Sequence, residues 1–555
     1  MGEWGLLAGE PDPDSAGCTV SNSTLCVVGG FRYTLTGLRS PAEIKIRHFR
    51  VDVTPIRRVG KVAVGNEFET GGNMLDQDRV CNKWVIGIVL AALSIGFAIL
   101  PATAQVQAES KNMDLVGYND LQGRGAYQPT IHKQGNYWIA YIGHHGGSAL
   151  NPLTGNMEDN GTSIVDVTDP RNPKYLAHIP GDPRIPGPGE TGGAQMTRVC
   201  DGSTLPHGDK NKVYLLRTRG TSSHEMWDVS DPSLPKRMNI VLSGLVDTHK
   251  SWWECDSGIA ILVSGKPGWR AKRMMQVYDL SDPSEPVFVR DFGLPGQQPG
   301  STGFQPIDLH GAISTGAKGN RVYAGYGTSH GGVIEILDRE KLLKGPKDPT
   351  EANLNYPVIG RFDMPDEAGA HTTYPLLGME LPEYAKNGAQ GKKDFLVTVG
   401  ESVDNECRAP RQLMRIFDIT NESHMLGVST WTVPEASGHF CTRGGRFGTH
   451  STNESMSPIY YKRIIFVAHF NAGLRAVDIR DPYNPKEIAY YIPAATDKTD
   501  KRCVGTGDDQ RCKIVIQTNN VELDDRGYIY IVDRSNTGMH ILQLTGDARK
   551  IADLP

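Results

Sequence analysis

The sequence predicts an all-β fold, a seven-bladed β-propeller with four-stranded blades. Three observations predict it: a phrase that recurs seven times, an alternating strand upstream of each copy, and the turn chemistry within it. The phrase is clearest in GTSIVDVTDPRNPKYLAHIP around Asp166, HEMWDVSDPSLPKRMNIV, MMQVYDLSDPSEPVFVRDF and LRAVDIRDPYNPKEIAYYIP. Weaker copies stand at GGVIEILDREKL, MRIFDITNESHMLGVSTW and MHILQLTGDARKIADL. Each reads as an apolar strand ending in Asp, a tight turn and another short strand, a unit that cannot bury its apolar face without neighbours. Asp166, Asp228, Asp279, Asp338, Asp418 and Asp478 recur at intervals of roughly 50 to 80 residues, consistent with propeller repeats carrying inserted loops.

The second strand of each blade is read from alternating runs such as KVYLLRTRG, GIAILVSG, RVYAGYG, DFLVTVG, RIIFVAHF and YIYIVD, whose Val, Ile and Tyr suit a pleated, packed surface. Proline after Asp fixes φ for a reversal and cannot continue a central strand. Met113–Tyr118 resembles a fourth strand that completes the last blade, and the tail ARKIADL competes for that place.

LRAVDIRDPYNP, TSIVDVTDPRNP and VYDLSDPSEP resemble the LVIVD-repeat proteins, bacterial β-propellers named for the same strand ending in Asp. The resemblance covers the chain from about Met113 onward. It implies the fold and leaves the chemistry open, because the repeat residues build the blade. The arrangement is also similar, by analogy and without extended sequence match, to the methanethiol oxidases (selenium-binding proteins) and the carotenoid cleavage oxygenases. Those families hold a metal with histidines on the propeller axis.

The 555 residues are 38% hydrophobic with a net charge of -5, giving ample core and no basic footprint for nucleic acid. The 63 Gly and 35 Pro fit a turn-rich β chain. Trp84–Leu100 is the one long apolar run, flanked by Arg79 and Lys83 and followed by Ala102-Thr103-Ala104. This describes a signal peptide over 74–104, cleaved after Ala104, with an uncleaved anchor as the alternative. The expectation is a periplasmic or secreted protein with no membrane span after cleavage. Residues 1–73 show neither repeats nor a hydrophobic pattern and are expected to be a spurious or disordered extension ahead of a true start at Met74. The propeller is expected over 105–555. Its six cysteines suggest disulfides in an exported chain. Cys503 with Cys512 is the most local pair, and Cys200 with Cys255 and Cys407 with Cys441 would join adjacent blades. Spacing alone leaves about 15 connectivities open.

The first strand of each blade lines the central channel. Aligning those strand starts places Gln128, Gln195, His249, His310, His371, His450 and Asn520 at one register. Four consecutive histidines there, from only 16 in the chain, converge on an axis and suit a transition metal. His249, His310, His371 and His450 are therefore the expected metal ligands, with Fe(II) or Cu as the metal. Glu254, Glu401 and Glu522 are the candidate carboxylates behind them. The competing reading has these polar groups hydrogen-bonding to neighbouring blades or channel water. A second set, His144, His145, His224, His330 and His469, lies after the second strands, and His145, His330 and His469 are the candidate catalytic residues as proton donors or substrate contacts. Arg217, Arg219, Arg270 and Arg273 are candidates for an anionic substrate.

The function expected is a metal-dependent oxidoreductase or oxygenase acting on a small organic substrate, with O2 as co-reactant. The alternative is a noncatalytic binding or scaffold propeller at the cell surface, and metal-dependent hydrolysis stands third.

Overall fold

The recurring D-x-x-D-P phrase folds as two successive turns in which each Asp caps the backbone two residues on. Asp166, Asp228, Asp279, Asp418 and Asp478 accept from the N–H groups of Thr168, Ser230, Ser281, Thr420 and Arg480 at 2.8–3.0 Å. The second Asp repeats the device, as in Asp169 with Arg171 and Asp481 with Tyr483. Asp338, which lacks the following Asp-Pro, instead caps a helix over Arg339–Lys344 through the N–H of Lys341. The repeat is thus a turn signal held by side-chain-to-backbone bonds.

The computed structural model describes residues 25–28, 31–34, 107–182, 189–386, 391–552 and 554. The chain divides into two compact units, Met1–Phe97 and Ala98–Pro555. In the first, the described residues form one antiparallel hairpin, Leu25–Val28 with Phe31–Thr34. The expected signal peptide and most of the expected extension lie outside the described residues. No helix among the described residues is long and apolar enough to cross a membrane.

The second unit is a ring of seven four-stranded antiparallel blades. Blade 1 pairs Ala126–Gln134, Tyr137–Gly146, Thr162–Asp166 and Lys174–Ile179. The first strands of blades 2 to 7 begin at Thr197, Trp252, Leu309, Thr372, Ser451 and Thr518. The phrase supplies the third and fourth strands of blades 1, 2, 3, 5 and 6 and only the third of blades 4 and 7, where a helix follows it, and the alternating runs supply the second.

The N-terminal strand closes the ring. Met113–Asn119 pairs with Met539–Leu544 as the outer strand of blade 7, while Glu109–Lys111 adds to blade 6. The tail does not compete for that place, since Gly546–Ile551 is a helix whose Ala548 packs into the core of blades 6 and 7. Closure leaves only short, protected edges.

Seams between blades follow one plan, in which the fourth strand of one blade meets the turn of the next. Asn239 donates to the carbonyl of Pro283 at 2.9 Å and Ser429 to that of Pro482 at 2.6 Å. Elsewhere a glycine admits the turn: a β-carbon at Gly117 would stand 1.9 Å from the Pro170 carbonyl oxygen, and one at Gly360 1.8 Å from that of Glu422. The apolar cores lie between successive sheets, as in the cluster of Val263, Phe292, Leu309 and Tyr326.

The six cysteines pair as Cys200–Cys255, Cys407–Cys441 and Cys503–Cys512. The first links blades 2 and 3, and the last crosses the hairpin of Lys501–Val504 with Arg511–Ile514. Three disulfides fit an oxidising, extracellular environment.

Candidate metal centre

His249, His371 and His450 enter the channel by the same local bond. Their backbone N–H groups donate to the carbonyls of Val263, Val399 and Ala468, near the ends of the second strands of their own blades, at 2.8–2.9 Å. Pseudo-symmetry then brings the side chains to one place. Ring centroids are 4.6 Å apart for His249 and His310, 3.5 Å for His310 and His371, and 4.5 Å for His371 and His450. The four-histidine register is a physical cluster, and all four side chains are buried.

The Nδ1 atoms of three of them face oxygen acceptors. His249 Nδ1 lies 2.8 Å from Gln195 Oε1, His371 Nδ1 3.0 Å from Thr372 Oγ1, and His450 Nδ1 2.6 Å from the Asn519 carbonyl. An Nδ1–H donating to each acceptor fixes the tautomer that leaves the Nε2 lone pair facing inward. His249 Nε2 lies 2.8 Å from His310 Nε2, a hydrogen-bond distance that ties the two imidazoles together. Nε2 of His371, Nε2 of His450 and Nδ1 of His310 are buried with no hydrogen-bond partner among the described residues. Buried nitrogens without partners are costly unless something binds them. Burial, reinforced by nearby Arg273, Lys250, Arg534 and the other histidines, holds all four imidazoles well below their ordinary pKa, in the neutral form a metal requires.

A carboxylate completes the group. Glu401 follows the second strand of blade 5, with Oε2 3.7 Å from His371 Nε2 and Oε1 3.7 Å from His450 Nε2. Arg446 and Arg534 donate to Oε1 at 2.7 and 3.0 Å, so the carboxylate is oriented from behind. His310, His371 and Glu401 each offer a ligand atom, and these atoms lie within 4.8 Å of one another. Two imidazoles and a carboxylate with open positions are a donor set suited to a transition metal. Among the three candidate carboxylates, Glu401 alone reaches the histidines. Glu254 is bonded to Arg339 at 2.9 and 3.0 Å. Glu522 accepts from the backbone of Glu454 and Ser455 at 3.0 Å, and burial beside Glu454 pushes its carboxyl up to about 7.

Tyr127 and His145 lie beside the cluster on the open side. The phenol oxygen of Tyr127 is 3.1 Å from His249 Nε2, and its ring packs against His145, His249 and His450. Burial raises the phenol far above its usual pKa, so it stays a proton donor. His145 reaches Gln195 and Arg534, each at 3.3 Å. A small cavity of about 100 Å³ touches Tyr127, His145, His249, Arg273, Glu401 and Arg534. It adjoins a vestibule of about 910 Å³ that shares His145, Val403 and Arg534.

The remaining expected residues stand apart. His330 is exposed, beside Ser329 at 3.3 Å. His469 is buried among aromatics, 4.9 Å from the Phe447 ring and 6.3 Å from the Trp431 ring. Its neighbour Phe470 faces the axis, 5.0 Å from the His450 ring. His144 bonds Ser163 at 2.8 Å, away from the site. His145, Thr328, Glu401, Phe470 and Arg534 hold corresponding positions at the exits of second strands, and a one-residue offset turns a side chain to the other face. His469 is one residue off that register. Arg217 is buried against Glu225 at 2.9 Å. Sequence reasoning missed Tyr127, Arg446 and Arg534, and aligning the second-strand exits would have exposed Arg534 together with Glu401.

Residues 464–492 match the sequence profile of the LVIVD repeat, which covers strands two to four of blade 6. Among solved structures the chain is similar to Raptor from Chaetomium thermophilum, at 10% identity and a TM-score of 0.45. That alignment covers 78% of this chain and 29% of the Raptor chain. No curated protein matches the sequence.

Proposed function

We propose that the axial group binds one transition metal and that the protein is an exported metal-dependent oxidoreductase or oxygenase of a small organic substrate. The observation that carries the reading is the convergence of ligand atoms of His310, His371 and Glu401 within 4.8 Å, with a buried nitrogen on each imidazole that has no hydrogen-bond partner among the described residues. A two-histidine, one-carboxylate set with open positions favours Fe(II), whereas four imidazoles alone would suit Cu equally. Such a metal supplies redox chemistry toward O2. His450 Nε2 offers a further nitrogen at the rim of the group, while His249 Nε2 is engaged by Tyr127 and His310.

The chain's own groups have separate tasks in this reading. Arg446 and Arg534 hold the Glu401 carboxylate, and Gln195, Thr372 and the Asn519 carbonyl set imidazole tautomers. Tyr127 keeps its proton, shared with His249 Nε2 at 3.1 Å, on the lining of the inner cavity. The small size of the inner cavity, about 100 Å³, limits the water beside the group. Export is supported by the three disulfides.

Plasma mass spectrometry of untagged protein prepared without chelators tests the reading. About one equivalent of Fe or Cu is expected for a single site of this donor type, with loss in His310→Ala. No metal, even after anaerobic addition of Fe(II) or Cu, would overturn it and leave a noncatalytic binding propeller.

A further inference from the structure

The residues that follow the four histidines form a second layer of the channel, with Lys250, Gly311, Thr372 and Ser451 in blade order. One side chain crosses that layer. A β-carbon at Gly311 would stand 2.9 Å from Cδ and 3.2 Å from Cγ of Lys250, so the lysine stem lies against blade 4 directly after His310. Its ammonium then donates to Thr372 Oγ1 of blade 5 at 3.1 Å and forms an ion pair with Glu454 of blade 6. Thr372 Oγ1 also lies 3.0 Å from His371 Nδ1, so a single hydroxyl separates the ammonium from that imidazole. A lysine of blade 3 thereby reaches three further blades beside the histidines.

Glu454 serves two cations, Lys250 and Arg198. Two positive charges therefore stand against one negative charge there. Glu522, the neighbouring carboxylate, is bound by Gln128 and by the backbone of Glu454 and Ser455, and it adds at most one more. The four groups together run from neutral to a single positive charge, and the ammonium is the one bonded toward the histidines. Lys250 alone among the cations lowers the pKa of all four imidazoles, as a charge placed centrally beside them does. It is 4% exposed and touches neither the inner cavity nor a cavity of about 120 Å³ farther along the first strands, lined by Arg198, Trp252, Glu454 and Glu522. A charge so enclosed is screened little by salt or water.

We propose that Lys250 is a positioning residue of the axial group, a fixed ammonium that makes the group hold the lower oxidation state of its metal in preference to the higher. This rests on the metal reading of the site. A neighbouring positive charge costs more for the ion of higher charge, so it raises the reduction potential without touching the metal. Thr372 relays the effect through the His371 imidazole, and Glu454 behind the ammonium opposes it from farther off.

Competition of the full-length protein with chromophoric chelators for Cu(I) and for Cu(II) tests this. Copper is the probe because a nitrogen and oxygen site that binds Fe(II) binds copper more tightly. Lys250→Met keeps the length of the side chain and removes its charge, and the ratio of Cu(I) to Cu(II) affinity should fall on the order of tenfold, the Coulomb effect of one enclosed charge. Glu454→Gln removes the opposing charge and should move the ratio the other way, which a loss of packing alone would not do. An unchanged ratio in Lys250→Met, or shifts of the same sign in both variants, overturns the proposal. Should Lys250→Met fail to fold because Glu454 is left buried without it, adding Glu454→Gln removes the pair together, and the ratio must then fall below that of Glu454→Gln alone. A parent protein that binds copper in neither state overturns the metal reading and this role with it. Copper bound with an unmoved ratio overturns only the role of Lys250.

Discussion

Nε2 of His371 and Oε2 of Glu401 lie 3.7 Å apart at the propeller axis, the nitrogen without a hydrogen-bond partner among the described residues and the carboxylate braced by two arginines. Glu401→Gln keeps the shape and removes the charge. Metal affinity should fall about 10- to 100-fold or more, the range seen when ligand-orienting or ligating groups are lost. A chelator competition titration measures it, and unchanged affinity would take the carboxylate out of the donor set.

Replacing His469 should do none of this. Both its ring nitrogens are buried without partners among the described residues, and burial lowers its pKa to about 3. His469→Phe puts an apolar ring among Trp431, Phe447 and Phe440, removing unpaired polar atoms worth about 1 kcal/mol or more. The expected result is an equal or higher Tm and unaltered metal content. A loss of metal would mean that the residue reaches the axial group.

The contrast between His469 and Phe470 shows where sequence reading succeeded and where it stopped. Blade number, strand order and the first-strand register were legible because apolar alternation and Asp turns repeat in the sequence itself. The histidine cluster followed, since one register in a ring is one place in space. Glu401 was visible only as one of three equal carboxylates, because which acid reaches the axis depends on loop paths. Tyr127 was hidden for a related reason. It precedes the aligned Gln128, and a bulge between Ala126 and Pro129 in blade 1 changes the alternation there.

Stability should fall on acidification from about pH 6.5. His144, His178, His224, His249, His310, His371, His450, His469 and His540 all have pKa values lowered in the fold, chiefly by burial. The unfolded chain therefore binds more protons below its ordinary histidine pKa near 6.5, and stability is lost as pH drops through that window. Glu335 and Glu522, raised to about 7 by burial, act oppositely: their penalty develops as pH rises from about 4.5 to 7 and is relieved on acidification. Asp533, its carboxyl also raised by burial, acts in the same sense, so nine groups oppose three and the histidines dominate. Thermal melts of metal-free protein should show Tm falling between pH 6.5 and 5. A Tm that rises over that interval would contradict the buried, neutral histidines.

The seam that closes the ring is made like those inside it, which gives a test of closure at a single atom. Gly117 in the N-terminal strand meets the Pro170 carbonyl of blade 1, and Gly360 in blade 4 meets the Glu422 carbonyl of blade 5; a β-carbon at either would lie under 2 Å from that oxygen. The obstacle is backbone held in a turn opened by Asp169 or Asn421, so it cannot swing aside as a side chain would. Valine at either position must push two blades apart, at about 3 kcal/mol by the usual cost of overpacking. For Gly360→Val the strain stays within a continuous run of blades. For Gly117→Val it falls at the ring-closing seam, where the terminal strand Met113–Asn119 is held to the last blade by its pairing with Met539–Leu544, beside the apolar cluster and the Arg526 bonds that also span the first and last blades. Both variants should melt lower than the parent, and Gly117→Val should in addition become protease-sensitive before Asn119, because the outer strand can detach and leave an open edge. Limited proteolysis that treats the two variants alike would mean that the terminal strand is no weaker a link than the covalently joined blades.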